Sequence, residues 1–339
     1  MMVWLKLNKK NMKNSALFFL LIAFLGCASH PNWVKNQNIG SALGTSYSII
    51  YISDKPLDFQ KEIDSVFKVI NQSMSTYIID SDISKINKGD TTIVVDHYFE
   101  EVFRKSEKIF KETEGVFDPT IGVLVNAWNF GPQKSDAIPD ALAISKLLDL
   151  VGFDKVQLEN NKILKENPHI YFDFNAIAKG YAVDIAGRFL EAKNIKNYLV
   201  EIGGEIRTRG QSAAKKPWKA GIEEPNFDGT RSIAKVIDLE NHAMATSGSY
   251  RKFEIDSITG EKYIHIINPK TGYSTQSNLL SVSIITERDC ADADGYATAL
   301  MAMSLEKAKQ FLATHTYLKG YLIYVTKEGE LKTFSSKNF

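Results

Sequence analysis

Cysteine, net charge and long apolar runs are all scarce in this 339-residue chain, and each scarcity excludes something. Cys27 and Cys290 are the only cysteines; if the first carries lipid, as its context suggests, no intramolecular disulfide can form and the fold holds without crosslinks. Forty-one Lys and Arg stand against forty Asp and Glu, a formal net charge of +1. Bulk electrostatics therefore mark no nucleic-acid or polyanion surface, and any anion binding must be local. The apolar run Ala16 to Leu25 is far shorter than the roughly 20 residues a membrane-spanning helix needs. Internal repeats, zinc-type clusters, a Walker loop, a Rossmann fingerprint and low-complexity segments are also lacking. What is there is an ordinary globular composition, 44% hydrophobic and 24% charged, long enough for one large or two modest domains.

At the N-terminus Lys9, Lys10 and Lys13 precede the apolar run, which stops at Gly26-Cys27-Ala28-Ser29. That is a signal-peptide pattern. The small residue before Cys27 is similar to the lipobox of bacterial lipoproteins, in which the cysteine is lipidated and becomes the first mature residue. Met12 offers a more typical signal-peptide start than Met1. We assign residues 1–27 to the leader, 28–38 to a polar linker and 39–339 to the folded domain, exported to the cell envelope on the periplasmic side of a bacterial membrane. Cys290 is read as a buried small apolar residue.

Periodicity places the elements. Residues 44–52 alternate as a strand, and Ile63, Val66, Phe67 and Ile70 recur at helical spacing over 59–73. A second amphipathic helix runs from Asp96 to Glu114 and stops at Gly115, and a third from Asp136 to Val151 with Pro139 in its first turn. Short strands near 155–158 and 162–164 are joined by an Asn-Asn turn. A helix after Asp173 runs to about Lys193, and a strand over 198–202 ends in Gly203-Gly204. Strands follow over 218–222, 232–239, 243–246, 252–255, 263–267 and 279–286. A helix begins near Asp289, another spans 305–315, and strands lie near 321–325 and 331–334. Strands, hairpins and helices mix without regular alternation, which predicts an α+β fold with a mostly antiparallel sheet and packed helices.

Four places invite chemistry. Between Tyr171 and Asp184 a strand-like run passes into a helix, with Asn175 as a candidate cap and Lys179-Gly180 in the first turn, where free N–H groups attract anions; a plain capped helix reads the same way. In Asp118-Pro119-Thr120 the proline holds Asp118 extended, fixing a carboxylate and a hydroxyl, unless this is only a turn. Gly203-Gly204 permits close backbone approach to a ligand or forms a tight hairpin. Asp294 and Thr298, four apart on a helix, offer hard oxygen donors suited to magnesium, although dipole complementation explains aspartates such as Asp292 at a helix start.

Eight motifs in order give these places a common meaning. They are Gly44-Thr45-Ser46-Tyr47, Met74-Ser75-Thr76-Tyr77 with Ser81 and Ile83-Ser84, Gly115 to Thr120, Asp173 to Asp184, Gly203-Gly204-Glu205, Ser247-Gly248-Ser249-Tyr250, His265 to Pro269 with Thr271-Gly272, and Asp292 to Thr298. In this order, after a lipoprotein-like leader, the chain resembles the ApbE family of bacterial FAD:protein FMN transferases from about Ile39 to Phe334. The resemblance implies two lobes around an FAD cleft. It implies a magnesium-dependent reaction that passes FMN from FAD to a threonine of an acceptor subunit in a membrane electron-transfer complex, releasing AMP.

By the same resemblance Leu43, Tyr77, Val116, Phe117, Asp118, Asp173, Lys179, His265 and Ile266 contact FAD, and Asp294, Thr298 and the Ala176 carbonyl hold Mg2+. Leu43 stands where many members carry methionine, and Asn175 where serine or glycine is more usual. His265, Lys179 and Asp294 are the implied catalytic residues, with His265 either the general base or only the holder of its turn. Tyr77 is either a ring-stacking residue or a core tyrosine. Two other functions remain open: an FAD pyrophosphatase giving FMN and AMP, and a lipid-anchored FAD-binding protein without turnover.

Overall fold

The computed structural model describes residues 33–135, 138–226, 228, 230–249, 253–255 and 262–339. The leader with Cys27, Asp136, Tyr250 and Lys252 lie outside the described residues. Among the described residues no helix is long and apolar enough to cross a membrane.

The frame is an eight-stranded sheet in the order β1 (Val34–Ala42), β2 (Thr45–Ser53), β5 (Asn197–Ile202), β6 (Glu205–Arg209), β9 (Ala243–Gly248), β12 (Leu279–Thr286), β13 (Lys319–Val325) and β14 (Leu331–Ser335). Every neighbouring pair in it is antiparallel. Helices α1 (Gln60–Met74), α3 (His97–Glu112), α6 (Ala178–Ala192), α7 (Cys290–Met301) and α8 (Leu305–Thr314) pack against it around the main core. The α+β expectation holds. Ile63, Phe67, Ile70 and Met74 put one stripe of α1 inward, and Phe99, Val102, Phe103 and Ile109 do the same for α3. Each such side chain contributes about 1.5–3 kcal/mol by leaving water. Asp96 caps α3 by accepting from the Phe99 N–H at 2.8 Å.

A smaller core under α4 (Gly122–Ala127) and α5 (Ala141–Leu148) gathers Leu124, Trp128, Phe130, Ile144 and Ile267. The aromatic segment at 128–130 is thus core, with the Trp128 indole donating to the Gly272 carbonyl at 2.8 Å. A third cluster, including Ile206, Ile222, Leu239 and Ile323, lies between the sheet and the hairpin of β7 (Trp218–Glu223) and β8 (Ile233–Leu239).

Three sequence expectations need correction. Residues from Val34 onward are not linker but β1, whose inward positions include Asn36 and Asn38. Both asparagines are satisfied there: Asn36 accepts from the Leu57 N–H at 2.8 Å, and Asn38 donates to Asp58 and accepts from Tyr51. Hydrophobic alternation could not mark a strand whose buried face is polar. Helix α5 begins at Ala141, capped by Asp140, so Pro139 precedes the cap instead of occupying the first turn. The strand expected to run to Ile267 stops at Ile264 as β11 (Lys262–Ile264), and Ile267 makes only an isolated bridge with Ser274.

Candidate active site

Two hairpin tips meet at one end of the sheet. Leu43-Gly44 joins β1 to β2 and Gly203-Gly204 joins β5 to β6, all four residues with positive φ, as two-residue turns matched to strand twist require. The Gly203 N–H donates to the Ser46 carbonyl at 3.0 Å, and a Cβ on Gly203 would sit 2.7 Å from the Thr45 methyl. Leu43 at φ 50° is the costly one, a branched residue in a region that glycine prefers. It is half-buried against the main core.

The second tip delivers Glu205 to the first turn of α6. Glu205 is 2% exposed, and Lys179 Nζ donates to its Oε1 at 2.5 Å. Burial, and then the charge of Asp294, push the Glu205 carboxyl up to about 7. Burial also works against a charged Lys179, but Asp294 and Glu205 together outweigh it and hold the ammonium above the usual lysine range. One cation thus faces two carboxylates, and Glu205 Oε2 is buried without a hydrogen-bond partner. A buried oxygen left without a donor costs about 1–3 kcal/mol.

Asp294 comes from α7, which runs antiparallel to α6. Its Oδ2 accepts from the Gly180 N–H at 3.0 Å. In return Asp184 of α6 accepts from the Cys290 and Ala291 N–H groups at 2.8 and 2.9 Å. Each helix therefore caps the other's N-terminal turn. Asn175, expected to cap α6, does not: its own N–H is held by Asp173 Oδ1 at 2.7 Å, and α6 has no side-chain cap within its own segment.

This exchange has a chemical consequence. The Gly180 N–H, one of the first-turn donors that no carbonyl of α6 can satisfy, is taken by Asp294, and among the described residues the Ala176 carbonyl accepts no hydrogen bond. Asp294 Oδ1 accepts none either, and the half-buried Thr298 shares its hydroxyl only with Ser247, at 3.1 Å. Asp292, by contrast, is tied to Lys105 at 2.8 Å, so its place at the helix start is also that of an ion-pair partner. Among the described residues no three or more His, Cys, Asp and Glu side chains cluster as a metal centre. One carboxylate oxygen and one carbonyl without partners among the described residues, with the Thr298 hydroxyl shared with Ser247, stand beside a deficit of positive charge, a hard oxygen set that fits a magnesium ion completing its shell with water or phosphate.

Gly180 fixes this contact. A Cβ there would meet the Cys290 carbonyl oxygen at 2.4 Å and Asp294 Cβ at 2.8 Å. Gly180→Ala must part the helices, so kcat is expected to fall about 100-fold, as for a displacement of roughly 1 Å at a reacting centre. A thermal melt should register about 1–3 kcal/mol of overpacking. Wild-type kcat would mean that the helix contact does not set the site.

The other implied residues divide. Tyr77 is 58% exposed and donates to the Phe130 carbonyl at 3.4 Å, so it is not a core tyrosine. Burial and then the nearby Asp173 raise its pKa. His265 lies edge-on to Phe130 with centroids 6.2 Å apart, in the same neighbourhood as Tyr77. Asp173 is held by its N–H to the Pro119 carbonyl at 2.7 Å.

Asp118 spends both carboxylate oxygens internally, accepting from the Thr120 N–H and hydroxyl and from the Phe153 N–H; burial lifts it to about 6. It therefore shapes the 116–120 loop through its side chain. The Phe117 ring is buried against Gly295 of α7, Val116 packs on the main core, and the Ile266 carbonyl accepts from the Thr275 N–H. Any ligand contact at Phe117 falls to its backbone. Sequence reasoning gave no role to Glu205 or Ser247, although both stood inside motifs; a lone carboxylate after two glycines reads as hairpin chemistry.

Comparison with known proteins follows the same lines. Residues 43–322 match the profile of the ApbE family. The FAD:protein FMN transferase of Haemophilus influenzae is 36% identical over 310 residues, 88% of each chain. That of Vibrio cholerae is 35% identical over 327 residues, 94% of this chain and 95% of the relative. The solved flavin transferase ApbE from Vibrio cholerae superimposes with a TM-score of 0.80 at 33% identity, covering 91% of this chain and 98% of its own. The apo form of Pseudomonas stutzeri flavinyl transferase ApbE gives 0.80 at 27% identity, covering 91% and 96%.

Proposed function

We infer the function from the premise that the chain belongs to the ApbE family: it is an enzyme, an FAD:protein FMN transferase. The finer reading is that a threonine hydroxyl of the acceptor attacks the FMN-side phosphorus of FAD with magnesium present. A new P–O bond forms to the threonine oxygen, the pyrophosphate bond breaks, and AMP leaves with the bridging oxygen. The observation that supports the metal part is that, among the described residues, the Ala176 carbonyl and Asp294 Oδ1 accept no hydrogen bond, with Thr298 one turn along α7 from Asp294. These three would hold the ion, which when bound supplies positive charge to the pyrophosphate oxygens.

The chain's own groups do the rest. The Lys179 ammonium, kept charged by Asp294 and Glu205, would counter charge on the leaving phosphate. Tyr77, exposed beside the Phe130 backbone and near His265, would stack on a ring of FAD. His265 would take the proton of the threonine hydroxyl, an imidazole nitrogen being the commonest acceptor for such a step. The leader with Cys27 supports an exported, lipid-anchored enzyme at the cell envelope, acting on a subunit of a membrane electron-transfer complex.

The test is incubation with FAD, magnesium and a threonine-bearing acceptor, followed by denaturing electrophoresis and mass spectrometry of the acceptor. A fluorescent band with FMN mapped to threonine is expected, and chelation with EDTA should abolish it. Absence of the band would count against transfer. AMP released at the same rate without acceptor would instead favour FAD hydrolysis.

A further inference from the structure

The proposed reaction asks of Glu205 only that it help keep Lys179 charged, yet the residue is closely held. It opens β6 directly after a turn whose two glycines have φ values of 63° and 107°, and it is 2% exposed. One of its oxygens binds Lys179 at 2.5 Å and the other has no hydrogen-bond partner among the described residues. Lys179 sits in the field of two carboxylates, Glu205 and Asp294, but hydrogen-bonds only to the first. Asp294 takes its one hydrogen bond from the Gly180 backbone. The ammonium therefore has a choice of partner, and in this structure the choice is made for Glu205.

That choice matters because an ammonium seated on Asp294 would compete with a divalent ion for the same carboxylate oxygen. We propose that Glu205 is a positioning residue: it anchors the Lys179 ammonium on the β6 side of the site and so keeps Asp294 open to a divalent cation. The inference rests on the magnesium reading above and deepens it. Its logic is steric as well as electrostatic. The hairpin holding Glu205 is tied to β2 by the Gly203 to Ser46 bond, which fixes the backbone that carries the carboxylate. An anchor on a fixed backbone holds the lysine's position as well as its charge.

A binding measurement separates this role from a purely structural one and from simple charge. Mn2+, a paramagnetic stand-in for magnesium, is titrated into the purified protein without FAD and followed by electron paramagnetic resonance. Four forms are compared: wild type, Glu205→Gln, Lys179→Gln and the double variant. In Glu205→Gln the freed ammonium turns to Asp294, and Mn2+ affinity is expected to fall about tenfold. Lys179→Gln should change affinity little on its own but restore most of the loss in the Glu205→Gln background, a coupling of about tenfold between the two sites.

Equal effects of Lys179→Gln in both backgrounds would overturn the proposal, since Glu205 would then act only as a distant charge; so would an unchanged affinity in Glu205→Gln. Failure of wild type to bind Mn2+ would overturn the metal reading itself, and this inference with it. Should Glu205→Gln not fold, Glu205→Asp draws the carboxylate back by one methylene and is expected to show the same loss in smaller measure.

Discussion

Replacing Asp294 with alanine is expected to lower flavin transfer by about a thousandfold, the equivalent of roughly 4 kcal/mol of lost charge stabilisation at the pyrophosphate. The alanine variant alone is ambiguous, because Asp294 also caps α6 through the Gly180 N–H. Asp294→Asn resolves it. The carboxamide keeps the shape and one acceptor for that N–H while losing the charge that would hold the cation. Burial raises the Asp294 carboxyl above its usual range, so the fold disfavours its ionised form. Asp294→Asn is therefore expected to melt no lower than wild type when no divalent ion is added, yet to be about as inactive as the alanine variant. In-gel flavin fluorescence against a dilution series of wild type, with a thermal melt of each protein, reads both quantities. Near-wild-type transfer by Asp294→Asn would remove the carboxylate from the chemistry.

A stable but inactive variant of this kind reflects how the site is built, and that explains what the sequence disclosed. Local signals were legible. The spacing of Ile63, Val66, Phe67 and Ile70 declared α1, the amphipathic run from Asp96 declared α3, and Asn160-Asn161 declared its hairpin, because each is a short-range pattern that no distant residue alters. Asp294 and Thr298 were legible as a pair for the same reason, lying one turn apart on one helix.

Relations between segments were not. Asn36 and Asn38 hid β1 because their partners, Leu57, Tyr51 and Asp58, lie up to 21 residues away. The cap of α6 was placed on Asn175 because the true acceptor lies 114 residues from Gly180. Glu205 was missed since its meaning depends on an ammonium 26 residues earlier in the chain. Phe117 was read as a ligand contact through its motif, while its ring closes the core behind α7. Sequence order carried the resemblance, whereas the division of duties within each motif depended on tertiary contacts.

The largest loss of stability is expected from Asp184→Ala. Asp184 is fully buried, binds Arg207 Nη1 at 2.6 Å and receives the Cys290 and Ala291 N–H groups. Removing it takes away one carboxylate partner of a partly buried guanidinium and uncaps α7 at once, a cost of about 3–5 kcal/mol. For a chain of this size that lowers Tm by roughly 5–8 °C in a thermal melt. Two explanations of the cost can be told apart. If the ion pair carried it, the double variant Asp184→Leu/Arg207→Met would recover most of the loss, because a well-packed apolar pair often matches a buried salt bridge. If the caps carry it, recovery fails, because among the described residues the two N–H groups have no other acceptor. We expect less than about half to return. Arg207 keeps Asp289 at 2.8 Å even without Asp184, so its charge is never wholly unpaired, whereas Asp289 at the N-cap of α7 makes no side-chain cap bond and is held by Arg207, Lys105 and Arg188 instead. Full recovery in the double variant would move the cost from the caps to the pair. Partial recovery would mean that the carboxylate closing α7 and the one closing α6 are two halves of a single clamp.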